Sequence, residues 1–122
     1  MFSRVFLLML ALSSAPALAA GDEIEPVPAQ ALIGHAYFGE STPSRILFIN
    51  VRDRPVRILW VSFDGTERPY AELAEGEERV QPTYLAHRWV VRDAVDGTPL
   101  EGFISTRAAS RGTAPSQIAV IR

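Results

Sequence analysis

The chain of 122 residues contains no cysteine. No disulfide can staple the fold, so packing alone must hold it, and thiolate chemistry is excluded. It contains no lysine either, since all twelve basic residues are arginine; this reads as a compositional bias, because arginine serves as well for solubility. The two signs of charge nearly balance: the formal net charge is −2, which argues against non-specific nucleic-acid binding. Histidine is limited to His35 and His87, and with carboxylates only at arbitrary spacings these do not make a zinc site. There is no glycine-rich phosphate loop and no G-x-S-x-G elbow for a hydrolase. The acids Glu77 and Glu78 fall in a turn and read as solvated. No cofactor and no catalytic residue is expected, and no internal repeat or low-complexity tract is present.

The one continuous hydrophobic run, Val5 to Leu12, is too short for a permanent bilayer span. It follows Arg4 and leads to Ala17-Leu18-Ala19, the A-x-A pattern of a secretory signal peptide. Residues 1–19 are therefore expected to be removed, leaving 122 − 19 = 103 residues and a secreted or periplasmic protein with no membrane contact after cleavage. That length suits one domain with a core near the lower end of comfortable size. Removing Arg4 takes away no acid, so the formal charge moves from −2 to −3.

Beyond the signal, residues 20–30 (AGDEIEPVPAQ) are acidic and carry two prolines without an apolar period. They read as flexible, and residues 20–43 together as a partly flexible lead-in. From residue 44 onward the signals are β. RILFIN (45–50) and VRILWVS (56–62) are rich in β-branched and aromatic residues. ERPYAEL (67–73) is interrupted by Pro69 and suits an edge strand. RVQPTY (79–84), HRWVVRD (87–93), LEGFIST (100–106) and SQIAVIR (116–122) complete the set. Asp64-Gly65, Glu75-Gly76 and Asp96-Gly97 mark turns. No segment has a long helical period, so the expected class is all-β, a sandwich or barrel.

One short run, TYLAHRW (83–89), holds Thr83, Tyr84, His87 and Trp89. Taken alone, Trp60 and Trp89 suit a core, Thr83 an ordinary strand, and His87 a hydrogen-bonded structural histidine. Asn50 suits a side chain that braces a turn.

Residues 44–94 resemble the β domain of the von Hippel–Lindau (VHL) family. The resemblance is carried by F-x-N at Phe48 to Asn50, W-x-x-F-D-G at Trp60 to Gly65, and P-Y at Pro69-Tyr70. It continues through L-x-x-G at Leu73 to Gly76, T-Y-x-x-H-x-W at Thr83 to Trp89, and R-D-A at Arg92 to Ala94, in order and without a gap. It implies an antiparallel β-sandwich of about seven strands over residues 44–122. It also implies an aromatic cage for a 4-hydroxyproline side chain, formed here by Trp60, Tyr70, Tyr84 and Trp89, with Thr83 and His87 reading the hydroxyl. The family has serine at the Thr83 position, glycine at Ala86 and histidine at Pro82. If the turn at Ala86 needs positive φ, alanine is strained there. Residues 95–122 diverge from the pattern. The chain ends where the family's helical α domain begins, so no elongin or cullin recruitment and no ubiquitin-ligase role is expected. The expected partner is a hydroxylated peptide or protein ligand. The alternative is a structural, interaction-type sandwich whose cage residues are simply core.

Overall fold

The computed structural model describes residues 22–110 and 112–122. The signal-peptide segment, residues 1–19, lies outside the described residues. Among the described residues, eight strands form two four-stranded sheets: β1 (Asp22–Glu23), β2 (Pro43–Asn50), β3 (Val56–Val61), β4 (Glu67–Leu73), β5 (Glu78–Tyr84), β6 (Arg88–Asp93), β7 (Pro99–Ile104) and β8 (Gln117–Ile121). One sheet has the order β1-β8-β2-β5 and the other β4-β3-β6-β7. The second sheet is antiparallel throughout, whereas β8 runs parallel to both β1 and β2. The architecture is the all-β sandwich read from the sequence, with one short strand more than the seven expected.

The period-2 pattern decides which faces meet. In β2, Ser44, Ile46, Phe48 and Asn50 point inward while their neighbours are partly exposed, as a strand with one buried face requires. Of these, Ile46 and Phe48 join Val56, Ile58, Trp89, Val91, Phe103 and Ile121 in the main core. Phe48 sits edge-on to both Trp89 and Phe103, at 5.9 and 6.0 Å between centroids. Strand β6 is apolar on both faces because a second, smaller core covers its outer side. There Val61 and Val90 pack against Ala29 and Leu32.

That second core involves the segment 20–43, read from the sequence as a partly flexible lead-in. From Asp22 onward the segment packs on the sandwich. Ile24 N–H donates to the Ile118 carbonyl at 2.7 Å, and Val27 exchanges two backbone hydrogen bonds with Gly102. A 3-10 turn at Ala29–Ala31 then drops Leu32 onto the sheet. Gly102 makes the approach possible, since a Cβ there would lie 2.7 Å from Leu32 Cδ1. The anchoring is done by backbone groups, which leave no side-chain period for a sequence reading to detect.

Candidate functional site

Strands β4 and β5 are the free edges of opposite sheets on the same side of the sandwich. The gap between them holds a cavity of about 140 Å3 lined by Trp60, Tyr70, Pro82, Thr83, Tyr84, His87 and Trp89. All six residues singled out in the sequence line it. An apolar cavity of about 150 Å3 accepts a benzene-sized ring, so this one accommodates a single small ring. Wider clefts of about 820 and 500 Å3 lie near Asp22 and Arg107, but neither has an aromatic residue in its lining.

Local rules bring the six together. Trp60 and Trp89 are directly opposite across the β3–β6 ladder. On β4, Ala71 pairs with Ile58 and Pro69 with Leu59, so Tyr70 is the extra residue of a β-bulge. Bulges on edge strands re-aim a side chain, and proline beside it costs the edge no ladder bond. Tyr70 stands edge-on to Trp89 at 5.1 Å and to Trp60 at 6.5 Å. Thr83 alternates inward from β5, while Tyr84 is half exposed at its end.

The two tryptophans differ. Trp89 is 2% exposed and belongs to the main core, meeting the cavity along one edge. Core and cage are therefore not alternatives for this residue. Trp60 is only partly buried and forms a wall. Its indole N–H is enclosed, with the Tyr37 hydroxyl as its nearest polar partner.

The polar groups are Thr83 and His87. Trp89 Nε1–H donates to Thr83 Oγ1 at 3.0 Å. His87 stacks on Trp60, 5.6 Å between centroids and 19° between planes, with Phe63 edge-on at 5.1 Å and Tyr84 at 5.2 Å. Its Nε2 lies 3.2 Å from the Glu40 carbonyl. Burial pushes the imidazole pKa down, opposed in part by that contact. The carbonyl of Pro82 accepts from Gln81 Nε2 at 2.9 Å, which leaves one of its lone pairs.

The lowered pKa has a sign. The folded ring binds protons less readily than the unfolded one, whose pKa is about 6.5. Stability from neutral His87 is complete above that value and is lost as pH falls toward the lower folded pKa. Between pH 7 and 5 the wild-type melting temperature should therefore drop more than that of His87→Phe, a ring that cannot titrate. Equal drops would show that His87 is free to protonate in the folded state.

The turn from Tyr84 to His87 carries the strain anticipated at Ala86. Its φ is +66°, and it is the only non-glycine residue with positive φ among the described residues. A left-handed alanine costs roughly 1–2 kcal/mol, whereas glycine gives back about 0.4–1 kcal/mol through unfolded-chain entropy. Ala86→Gly should raise stability by about 0.5–1 kcal/mol, read as a higher urea midpoint at unchanged slope. A lower midpoint would contradict strain at this position.

Sequence reasoning missed Phe63, which packs on both Trp60 and His87, and the backbone of residues 37–40 beside it. The spacing of Trp60 and Phe63 in W-x-x-F-D-G is a usable signal, but residue chemistry alone assigns only the Asp64-Gly65 turn within that motif.

The family model of the VHL beta domain matches residues 38–103, more than half of the chain and every residue lining the cavity. The chain belongs to the VHL β-domain family, and its sandwich is a recognition domain of the protein- and peptide-binding kind.

Proposed function

We propose that this member of the VHL β-domain family is an extracytoplasmic binding module. It would recognise a hydroxyproline-containing peptide, or a smaller prolyl-like ligand, through Trp60, Tyr70, Thr83, Tyr84, His87 and Trp89. The observation that carries the reading is the convergence of these side chains, from four strands and one turn, on a single ring-sized cavity. Aromatic faces hold a pyrrolidine ring by burial. A 4-hydroxyl brings one donor and two acceptor lone pairs, which a hydroxyl side chain and an imidazole can meet. Unmodified proline would leave those groups desolvated and unpaired, and sites built to bond a hydroxyl reject the analogue that lacks it. The extracytoplasmic part of the reading rests on residues 1–19 alone. It is tested by N-terminal sequencing of the exported protein, which should begin at Ala20.

The test of recognition is a titration with paired peptides, one carrying 4-hydroxyproline and one proline, followed by tryptophan fluorescence. Both tryptophans border the cavity, so occupancy should change the emission. The hydroxylated peptide should bind about five- to 150-fold more tightly, the equivalent of one lost hydrogen-bonding group. Thr83→Val and His87→Phe should erase the preference. A second reading, a sandwich scaffold that pairs through an edge strand, is favoured by the edge positions of β4 and β5. Failure of both peptides against folded protein would leave that reading in place of the first.

A further inference from the structure

The backbone of residues 37–40 lies over His87. Tyr37 N–H donates to the Phe63 carbonyl at 3.0 Å, its hydroxyl donates to the Val61 carbonyl, and the Arg88 guanidinium stands 4.4 Å from the centre of its ring. One turn earlier, Gly34 N–H donates to the Gly65 carbonyl. The segment is thus pinned at several points. It reaches His87 because Gly39 has no side chain. A Cβ there would sit 2.2 Å from Phe63 Cε1 and 3.1 Å from His87 Nε2. Phe63 is backed on one side by Tyr37, Trp60 and His87, at 5.4, 5.5 and 5.1 Å, and exposed on the other, so either the ring or the segment must shift to admit that Cβ.

This contact decides which ring nitrogen carries the proton. A carbonyl oxygen only accepts, so the Glu40 contact is a hydrogen bond only when Nε2 bears the hydrogen. Burial disfavours the charged ring. A neutral imidazole has one N–H, which leaves Nδ1 a bare acceptor. Nδ1 has no hydrogen-bond partner among the described residues, and His87 lines the cavity. Thr83 is complementary. Its oxygen already accepts from Trp89 Nε1, while its own hydrogen has no acceptor among the described residues.

We infer that the 37–40 segment sets the hydrogen-bond polarity of the cavity, through the Glu40 carbonyl and the space left by Gly39. The cavity then takes an alcohol that donates to His87 Nδ1 and accepts from Thr83, and it excludes fluoro, keto and ether isosteres that have no hydrogen to give. Gly39 and Glu40 act as positioning residues here. The inference rests on the proposed recognition of a prolyl ring for its ligand but not for its tautomer.

Two measurements separate these. In the ligand-free protein, imidazole 15N NMR at neutral pH should show His87 as a single neutral tautomer protonated at Nε2. In Gly39→Ala the displaced segment should release it into a mixture. A ring protonated at Nδ1, or charged, overturns the inference whatever any peptide does. In the ligand arm, peptides carrying 4-hydroxyproline, 4-fluoroproline and proline are compared. The fluoro peptide should bind within about twofold of proline and about five- to 150-fold more weakly than hydroxyproline. Thr83→Ser should keep the preference and Gly39→Ala should lose it. Tight binding of the fluoro peptide would overturn the polarity while leaving a prolyl cage intact. If no peptide binds, the recognition reading fails and the NMR result alone decides the polarity. Should Gly39→Ala fail to fold, the wild-type tautomer still decides it.

Discussion

Trp89→Ala should cost the domain about 3–5 kcal/mol, the range for removing a buried aromatic from a core. The side chain is almost fully enclosed, packs against Phe48 and Tyr70, and bonds Thr83. With no cysteine in the chain, no disulfide shares the load, and ordinary domains have only about 5–15 kcal/mol in hand. Trp89→Phe should cost less, because most of the ring volume stays and one hydrogen bond goes, worth about 0.5–1.5 kcal/mol. Urea unfolding of both variants checks the order. An alanine variant within about 1 kcal/mol of wild type would mean that the cavity collapses on mutation and that Trp89 is not the floor of a rigid site. The phenylalanine variant carries a second consequence. Without the indole N–H, the Thr83 oxygen regains its lone pairs and can turn its hydrogen elsewhere, so preference for a donating hydroxyl should weaken while the ring still binds.

The strands were legible because their signals are local. Alternation in residues 45–50, the β-branched run at 56–62 and the proline in 67–73 each reported one strand, and the last also reported an edge. The membership of the cavity was legible only through the family pattern. Composition cannot tell that Tyr70 is a bulge residue or that Trp60 and Trp89 are cross-strand partners. Both depend on register, which long-range pairing fixes. The docked lead-in was hidden for a different reason. Its acidic and proline-rich composition matches disorder, yet three apolar residues, Ile24, Ala29 and Leu32, find buried places, and backbone hydrogen bonds to Ile118 and Gly102 supply the rest. Phe63 and the Glu40 carbonyl were out of reach because one acts from a turn and the other through its backbone.

These features explain why a small, disulfide-free sandwich can carry a cavity at its edge. The floor is core, as Trp89 shows, so the cavity costs little extra order. The walls come from edge positions where exposure is normal. The strained element, Ala86, sits in the turn that delivers His87, and backbone strain gathers at functional sites where surrounding structure over-determines it.

The far ends of the two wall strands are held by Asn50, and its loss should be the largest polar effect in the domain. Asn50 is fully buried. Its amide nitrogen donates to the carbonyls of Arg54, Leu73 and Ala74 at 2.9, 3.1 and 3.1 Å, and its oxygen accepts from Arg52 N–H at 3.0 Å. One side chain therefore ties the β2–β3 turn to the β4–β5 turn. Asn50→Ala removes these bonds; the Ala74 carbonyl keeps its bond from Glu77 N–H, but the buried Leu73 carbonyl loses its amide donor and the turns lose their tie, so a loss of about 3 kcal/mol is expected. Asn50→Asp should be at least as harmful at pH 7, because a carboxylate has no hydrogen to give and would face three carbonyl oxygens. Its folded pKa would be raised above the unfolded value of about 3.9, so the folded state would bind more protons than the unfolded one. Stability of Asn50→Asp should then rise relative to Asn50→Ala as pH falls from 7 toward 4, where the protonated carboxyl can donate once. Urea midpoints of the two variants measured across that range decide the matter, and parallel curves would mean that the two turns are held together by something other than the Asn50 amide.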